Sequence, residues 1–102
     1  MTQHQKAMAL SDQADICRRE SMREDALRLY AEAFEAESCA AEETDVEPSR
    51  SILHRSAAWL GIEAGLYREA ERIARRGLSF EGVPDELAED LRTVIVAAED
   101  AQ

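Results

Sequence analysis

The sequence predicts an all-α fold, an α-α superhelix of two helical hairpins and a closing helix, which makes five helices in one domain over residues 1–102. Two observations lead to this fold class. Apolar residues recur at helical spacing along most of the chain. Alanine dominates an apolar fraction of 45%, and only four glycines and two prolines interrupt the pattern, which favours helices over strands and turns.

The first hairpin is expected over about residues 4–43. Thr2 and Gln5 fit a capping box, in which each side chain bonds the backbone N–H of the other residue. The first helix therefore starts near His4 and continues to about Arg19. Its apolar face is Ala7, Leu10, Ala14 and Cys17.

Ser21 and Glu24 fit a second capping box, which places the start of the second helix near Met22. This helix is expected to continue to about Glu43. Its predicted buried stripe is Ala26, Leu29, Tyr30, Ala33 and Phe34.

The second hairpin is expected over about residues 48–79. Pro48 lacks a backbone N–H and is tolerated only in a first helical turn, so the third helix should begin close to it. Gly65 is expected to end that helix in the left-handed conformation. The apolar faces are Leu53, Ala57, Leu60 and Ala64 in the third helix and Tyr67, Ala70, Ile73, Ala74 and Leu78 in the fourth.

A capping helix is expected over about residues 84–98. Pro84 suits a helix start, and the acids Asp85 and Glu86 suit the positive end of the helix dipole. The apolar face of this fifth helix is Leu87, Leu91, Val94, Ile95 and Ala98.

The chain matches itself at an offset of 44 residues. The matched pairs are Ala14 with Ala58, Ala26 with Ala70, Leu29 with Ile73, Ala33 with Gly77, and Phe34 with Leu78. Two hairpins in this register resemble the tetratricopeptide repeat, and the segment from Gly65 to Ala70 is similar to that family's turn between its two helices. The run from Glu47 to Ser51 is also similar to one in short stand-alone bacterial proteins of unknown function.

The resemblance covers about residues 8–82 and has three departures. Gly61 stands where the family usually has an aromatic residue, and His54 stands where it usually has a tryptophan. The offset of 44 residues also exceeds the family period of about 34.

In tetratricopeptide repeats, the first helix of each hairpin lines a concave groove that takes peptides or partner helices. The resemblance implies two sets of partner-binding residues here, Met8, Ser11, Asp15 and Arg18, and then Ile52, Arg55, Trp59 and Ile62. The second set has the spacing of one helical face and is offset from the apolar stripe, so the third helix is apolar on two sides. Two interpretations of the second side are open. In the first, helix five folds over it or Trp59 belongs to the core. In the second, a partner or a second copy of the chain covers it.

Seven acids and no base lie between Ala31 and Ser49. The candidates for an acidic surface are Glu35, Glu42, Glu43, Asp45 and Glu47. Such a run is either a solvated helix face or a docking surface for a basic partner.

Composition limits the classes of partner and the compartment. The net charge of −10 repels phosphate backbones and anionic headgroups, so neither nucleic acid nor a membrane is expected as a partner. The first residues have no apolar stretch like that of a signal peptide, so we expect a cytoplasmic protein. Cys17 and Cys39 are then expected to be reduced thiols.

The sequence offers little for catalysis. His4, His54 and two separated cysteines supply no nucleophile with a base, no metal-ligand set and no phosphate-binding loop. We therefore expect neither an enzyme nor a cofactor.

The leading hypothesis is a non-enzymatic interaction module, an adaptor or scaffold, whose third-helix face binds a peptide, a helix or a second copy of the chain. Two hairpins and a capping helix fall short of the roughly three repeats that such stacks need, so a homodimer is expected. The alternative is an acidic regulatory or inhibitory protein, antitoxin-like or a nucleic-acid mimic, that sequesters a basic partner.

Overall fold

The computed structural model describes residues 1–102 and consists of five α-helices joined by short turns. They are α1 (Gln3–Arg19), α2 (Arg23–Glu43), α3 (Ser49–Glu63), α4 (Tyr67–Leu78) and α5 (Asp85–Ala101). Each helix packs on the next one along the chain, and α5 also packs on α3. The predicted all-α fold class and its five helices are therefore confirmed. None of the helices is both long enough and apolar enough to cross a bilayer.

The start of α1 is capped as the sequence predicts. Thr2 Oγ1 accepts the backbone N–H of Gln5 at 3.0 Å, and Gln5 Oε1 accepts the backbone N–H of Thr2 at 2.9 Å. This reciprocal pair satisfies donors that would otherwise have no partner at a helix start.

The predicted apolar stripes form the core. All five stripe residues of α2 and all five of α5 are buried. In α3 and α4 the middle of each stripe is buried, whereas the end residues are only half-buried. These end residues are Leu53, Ala64, Tyr67 and Leu78.

The turn from α1 to α2 is a Schellman motif. The N–H of Met22 bonds the carbonyl of Cys17 at 2.8 Å, and the N–H of Ser21 bonds the carbonyl of Arg18 at 3.2 Å. This pair of bonds requires the residue just outside the helix to be left-handed. Ser21 is that residue, and its φ is 62°.

The turn from α3 to α4 repeats this geometry 44 residues later. The N–H of Leu66 bonds the carbonyl of Gly61 at 2.8 Å, and the N–H of Gly65 bonds the carbonyl of Ile62 at 3.0 Å. Gly65 is left-handed, with φ 76°, as the sequence predicts. The internal repeat therefore extends to the backbone hydrogen bonds of both turns.

The capping box predicted at Ser21 is wrong. Because Ser21 closes α1 in the left-handed conformation, its side chain does not cap the N-terminus of α2. Met22 takes the N-cap position instead and makes no side-chain bond there. The local pattern of serine followed by Glu24 is overridden by the geometry of the turn.

Glycine at position 61 follows from a close approach of α3 to α4. A Cβ atom on Gly61 would lie 2.9 Å from Cβ of Ala70 and 3.1 Å from the ring of Phe34. Cβ atoms in folded proteins do not come that close to another Cβ. An aromatic residue at position 61 would therefore not fit between these helices.

The two turns generate a paired prediction. Replacing Ser21 with glycine should raise the free energy of unfolding by about 1 kcal/mol, because a left-handed backbone strains a residue that has a Cβ. Gly65→Ser should lower it by about the same amount. For a chain of this length, each kcal/mol corresponds to roughly 4–8 °C in the thermal midpoint, which calorimetry measures.

Ser11→Gly is the control, because Ser11 has ordinary helical backbone in the interior of α1. That substitution should lower stability by about 0.5 kcal/mol, the difference between the helix propensities of serine and glycine. A Ser21→Gly protein that is destabilised like the control would contradict the left-handed turn.

Candidate partner-binding groove

A groove of about 400 Å³ lies between α1 and α3, with a residue of α2 at its base. Nine side chains line it: Met8, Ser11, Asp15, Tyr30, Arg55, Ser56, Trp59, Leu60 and Glu63. We refer to this depression as the groove.

Tyr30 of α2 connects the base of the groove to α1. Its phenol O–H donates to Asp15 Oδ1, and the guanidinium of Arg18 lies 5.6 Å from the centroid of its ring. Burial of the phenol and the hydrogen bond to Asp15 raise the pKa of Tyr30 to about 12. The phenol is therefore a neutral donor at physiological pH, and the Asp15 carboxylate is already partnered within the chain.

One end of the groove is crossed by an ion pair. Arg18 Nη1 donates to Glu63 Oε2 at 2.9 Å and so joins α1 to α3. Both side chains are about half exposed, so the pair contributes little to stability, but it neutralises both charges. Beyond it lies a second depression of about 710 Å³ between the two hairpin turns, which shares Tyr30 and Glu63 with the groove.

Glu37 of α2 is a fully buried carboxylate next to the groove. Its oxygens accept the Nδ1–H of His4 at 2.8 and 3.1 Å and the hydroxyl of Ser56 at 2.6 Å. A buried carboxylate is tolerated only where strong donors reach it. Because these donors come from α1 and α3, Glu37 joins three helices at one point.

The order of the groups in this cluster defines its chemistry. The Glu37 carboxylate lies between Ser56 and His4, so the hydroxyl donates to the carboxylate and is not activated by the imidazole. The arrangement holds helices together and does not resemble a nucleophile with its base. No group of three or more His, Cys, Asp and Glu side chains is placed to hold a metal ion.

Trp59 lies at the edge of the groove and remains 38% exposed. Ile52, two turns earlier on the same face of α3, is 40% exposed. Helix α5 packs on α3 and reaches this face at one point, where Arg55 Nη1 donates to Asp90 Oδ2 at 2.7 Å. Helix five therefore covers part of the second side of α3, and Trp59 remains partly exposed.

The structure brings together most of the residues that the sequence selects for partner binding. Met8, Ser11, Asp15, Arg55 and Trp59 all line the groove. The remaining three lie outside it. Arg18 pairs with Glu63 at the end of the groove, Ile52 flanks it, and Ile62 packs against the core as a half-buried residue.

The acidic run divides into surface and interior residues. Glu35, Glu42, Glu43 and Asp45 are exposed. Glu35 and Glu42 share a shallow depression with Arg72 and Arg76 of α4, so bases of the same chain face part of this surface.

Glu47 is not part of that surface, which corrects the prediction. Its side chain is only 17% exposed, and its Oε1 accepts the backbone N–H of Ser51 at 3.0 Å and the Ser51 hydroxyl at 2.7 Å. Burial alone would raise the pKa of Glu47, but these bonds and the Arg50 guanidinium outweigh burial and hold the pKa below its usual value. Glu47 caps the start of α3.

Five residues of the site are not among the predicted partner-binding residues: Tyr30, Glu37, Ser56, Leu60 and Glu63. Glu37 carries a signal that could have revealed it. It follows Ala33 and Phe34 by four and three residues, which places it on the buried stripe of α2. An acid on a buried stripe indicates a partnered carboxylate.

No protein-family model, no curated protein and no solved structure gives a significant match to this chain.

Glu37→Ala should lower the free energy of unfolding by about 2–4 kcal/mol, because His4 and Ser56 lose the acceptor that joins their helices. Glu37→Gln should cost less, since the amide keeps the shape and one acceptor oxygen. Urea denaturation measures the change.

Glu35→Ala provides the matched control, because Glu35 is exposed on the same helix and should change stability by less than about 0.5 kcal/mol. Equal stabilities of the Glu37→Ala and Glu35→Ala proteins would show that the buried cluster does not hold the helices.

Proposed function

We propose that this chain is a non-enzymatic protein–protein interaction module whose groove and adjoining α3 face bind an amphipathic helix or peptide of another protein. The observation that carries the proposal is the exposure of Trp59 at the edge of the groove, with Ile52 exposed on the same face. Tryptophan is enriched among the residues that dominate binding energy at interfaces, where it fills desolvated pockets.

The charges around the groove favour an apolar occupant. Asp15 accepts the Tyr30 hydroxyl, Arg18 pairs with Glu63, and Arg55 pairs with Asp90. Covering an unpaired charge costs several kcal/mol, and a charge that keeps its partner within the chain costs less to cover. A segment with apolar anchors could therefore cover the groove without leaving an isolated charge beneath it.

Net charge favours a different protein over a second copy of this chain. Each chain carries −10, so two copies repel each other at separations within the Debye length, about 8 Å at physiological salt. A neutral or basic helix meets no such repulsion. The resemblance to tetratricopeptide repeats, whose concave face takes peptides and helices, supports the same occupant.

The acidic regulatory alternative has less support. Of the acidic run, Glu37 is buried and Glu47 caps α3, and two of the exposed members face arginines of α4. The surface left for a basic partner is smaller than the sequence suggests.

The proposal predicts that Trp59→Ala weakens partner binding by at least about tenfold, because truncating a buried interface tryptophan typically costs about 2 kcal/mol or more. A photo-crosslinking residue at position 52, beside the groove, first captures the bound segment from extracts of the source cell. The crosslinked segment is then synthesised, and its affinity for wild type and variants is measured by calorimetry.

Val96→Ala is the matched control, because Val96 is an exposed apolar residue of α5 outside the groove. It should change the affinity by less than about twofold. Equal affinity of wild type and Trp59→Ala for the captured segment would refute the groove as the binding site.

Two further measurements separate the other occupants. The chain could form dimers in sedimentation that require Trp59 and crosslink to each other at position 52. That result would show that the groove binds a second copy of the chain and not a partner helix. Binding that falls steeply with salt and with charge reversal of Glu42 and Glu43, but ignores Trp59, would establish the acidic alternative instead.

A further inference from the structure

His54 of α3 is a fully buried histidine with one unpartnered ring nitrogen. Its Nδ1–H donates to the backbone carbonyl of Arg50 at 2.7 Å, so in the neutral ring Nε2 carries the lone pair. No donor contacts that lone pair. An unsatisfied buried polar atom is uncommon in folded proteins, and the proposed function does not use it.

The turn between α4 and α5, residues 79–84, covers this ring. Phe80 meets His54 edge to face, with the ring centroids 5.5 Å apart and the planes at 64°. The guanidiniums of Arg50 and Arg76 lie 4.0 and 5.7 Å from the Phe80 centroid, close enough for cation–π attraction. Arg50 also donates to the carbonyl of Glu81 at 3.2 Å, so the turn is held over His54 by several contacts.

His54 is closely packed where it meets Gly77 of α4 and Leu91 of α5. A Cβ atom on Gly77 would lie 2.9 Å from Cβ of His54 and 3.2 Å from Leu91 Cδ1. Gly77 of α4 and Leu91 of α5 therefore pack closely at the base of the imidazole. Phe80 belongs to the turn and contacts the ring itself, so we take its movement as the route by which water reaches Nε2.

The charges near His54 oppose its protonation. Burial lowers the pKa of His54 below its ordinary value of 6.5, and the positive charges of Arg76 and Arg50 lower it further. The Arg50 carbonyl and the Glu47 carboxylate act in the opposite direction but do not compensate. From α5 the neighbouring side chain at Gly77 is the uncharged Leu91.

We propose that His54 and Phe80 form a pH-sensitive latch, in which a proton on His54 Nε2 releases the turn between α4 and α5 from α3. The proton comes from solvent and adds a donor where the closed structure has no acceptor. The imidazolium becomes stable only when the ring reaches water, so protonation and opening of the turn are coupled. The direction follows from linkage: the open ring titrates near 6.5 and the closed ring below it, so closure is strongest above pH 6.5 and weakens as the pH falls.

The test uses hydrogen exchange of the full chain between pH 7.5 and 5. Two amides report on the turn, because the N–H of Ser79 bonds the carbonyl of Arg76 and the N–H of Ala88 bonds the carbonyl of Pro84. The opening equilibrium constant, taken from protection factors, should rise by up to about tenfold per pH unit below about pH 6.5, the limit for one linked proton. In His54→Leu this rise should disappear.

His4→Gln is the matched control. The chain has only two histidines, and glutamine at position 4 can still donate to Glu37, so the rise should persist in this variant. Phe80→Ala gives a second test that leaves His54 in place. This variant should expose the His54 ring at every pH. The pKa of His54, measured by NMR of the ring, should therefore shift towards 6.5.

Several results would overturn the latch. An equal acid response in wild type and His54→Leu, or its loss in His4→Gln, would assign the effect to other groups. The latch is also wrong if the pKa of His54 in the wild type is 6.5 or higher, or if Phe80→Ala leaves that pKa unchanged. These two pKa measurements test the latch even if His54→Leu does not fold. None of these results bears on partner binding by Trp59, so the latch and the proposed function stand or fall separately.

Discussion

The buried carboxylate of Glu37 is the interaction on which the arrangement of the first three helices depends. A charge without solvent is stable only where donors surround it, and the donors here are His4 of α1 and Ser56 of α3. Apolar packing is less directional than hydrogen bonding, so it specifies the register of α1 and α3 on α2 less sharply. Hydrogen bonds to one carboxylate add a fixed point on each helix. These bonds hold α1 and α3 on the two sides of the groove.

Small residues determine how closely the remaining helices approach. Gly61 faces Ala70 where α3 crosses α4, and Gly77 faces His54 at the other contact between the same helices. The absence of a Cβ at these positions lets the backbones come close together. This close approach leaves no room for a side chain larger than His54 opposite Gly77. His54 consequently occupies a site without solvent contact, closely packed at Gly77. The turn that carries Phe80 covers the ring.

Features encoded by neighbouring residues could be predicted from the sequence, and those that depend on distant residues could not. The five helices, the buried stripes and the left-handed Gly65 follow from periodicity and turn chemistry. The role of Ser21 was missed because the same residues match a capping box locally. Glu37 is one of the seven acids of the run, and its partners His4 and Ser56 lie 33 and 19 residues away in the sequence. The pair of Arg55 with Asp90 spans 35 residues, and no local pattern encodes it.

Helix α3 carries both the groove and the latch, and its geometry sets how far each can influence the other. At about 100° per residue, Trp59 and His54 point about 140° apart around the helix, so a partner on the groove does not cover the latch. The connection runs through α5, which follows the latch turn and meets the groove face where Asp90 pairs with Arg55. That pair is partly exposed and screened by solvent. Opening of the turn would therefore weaken one charge contact beside Trp59 and leave the bonds of Glu37 to α1 and α3 in place.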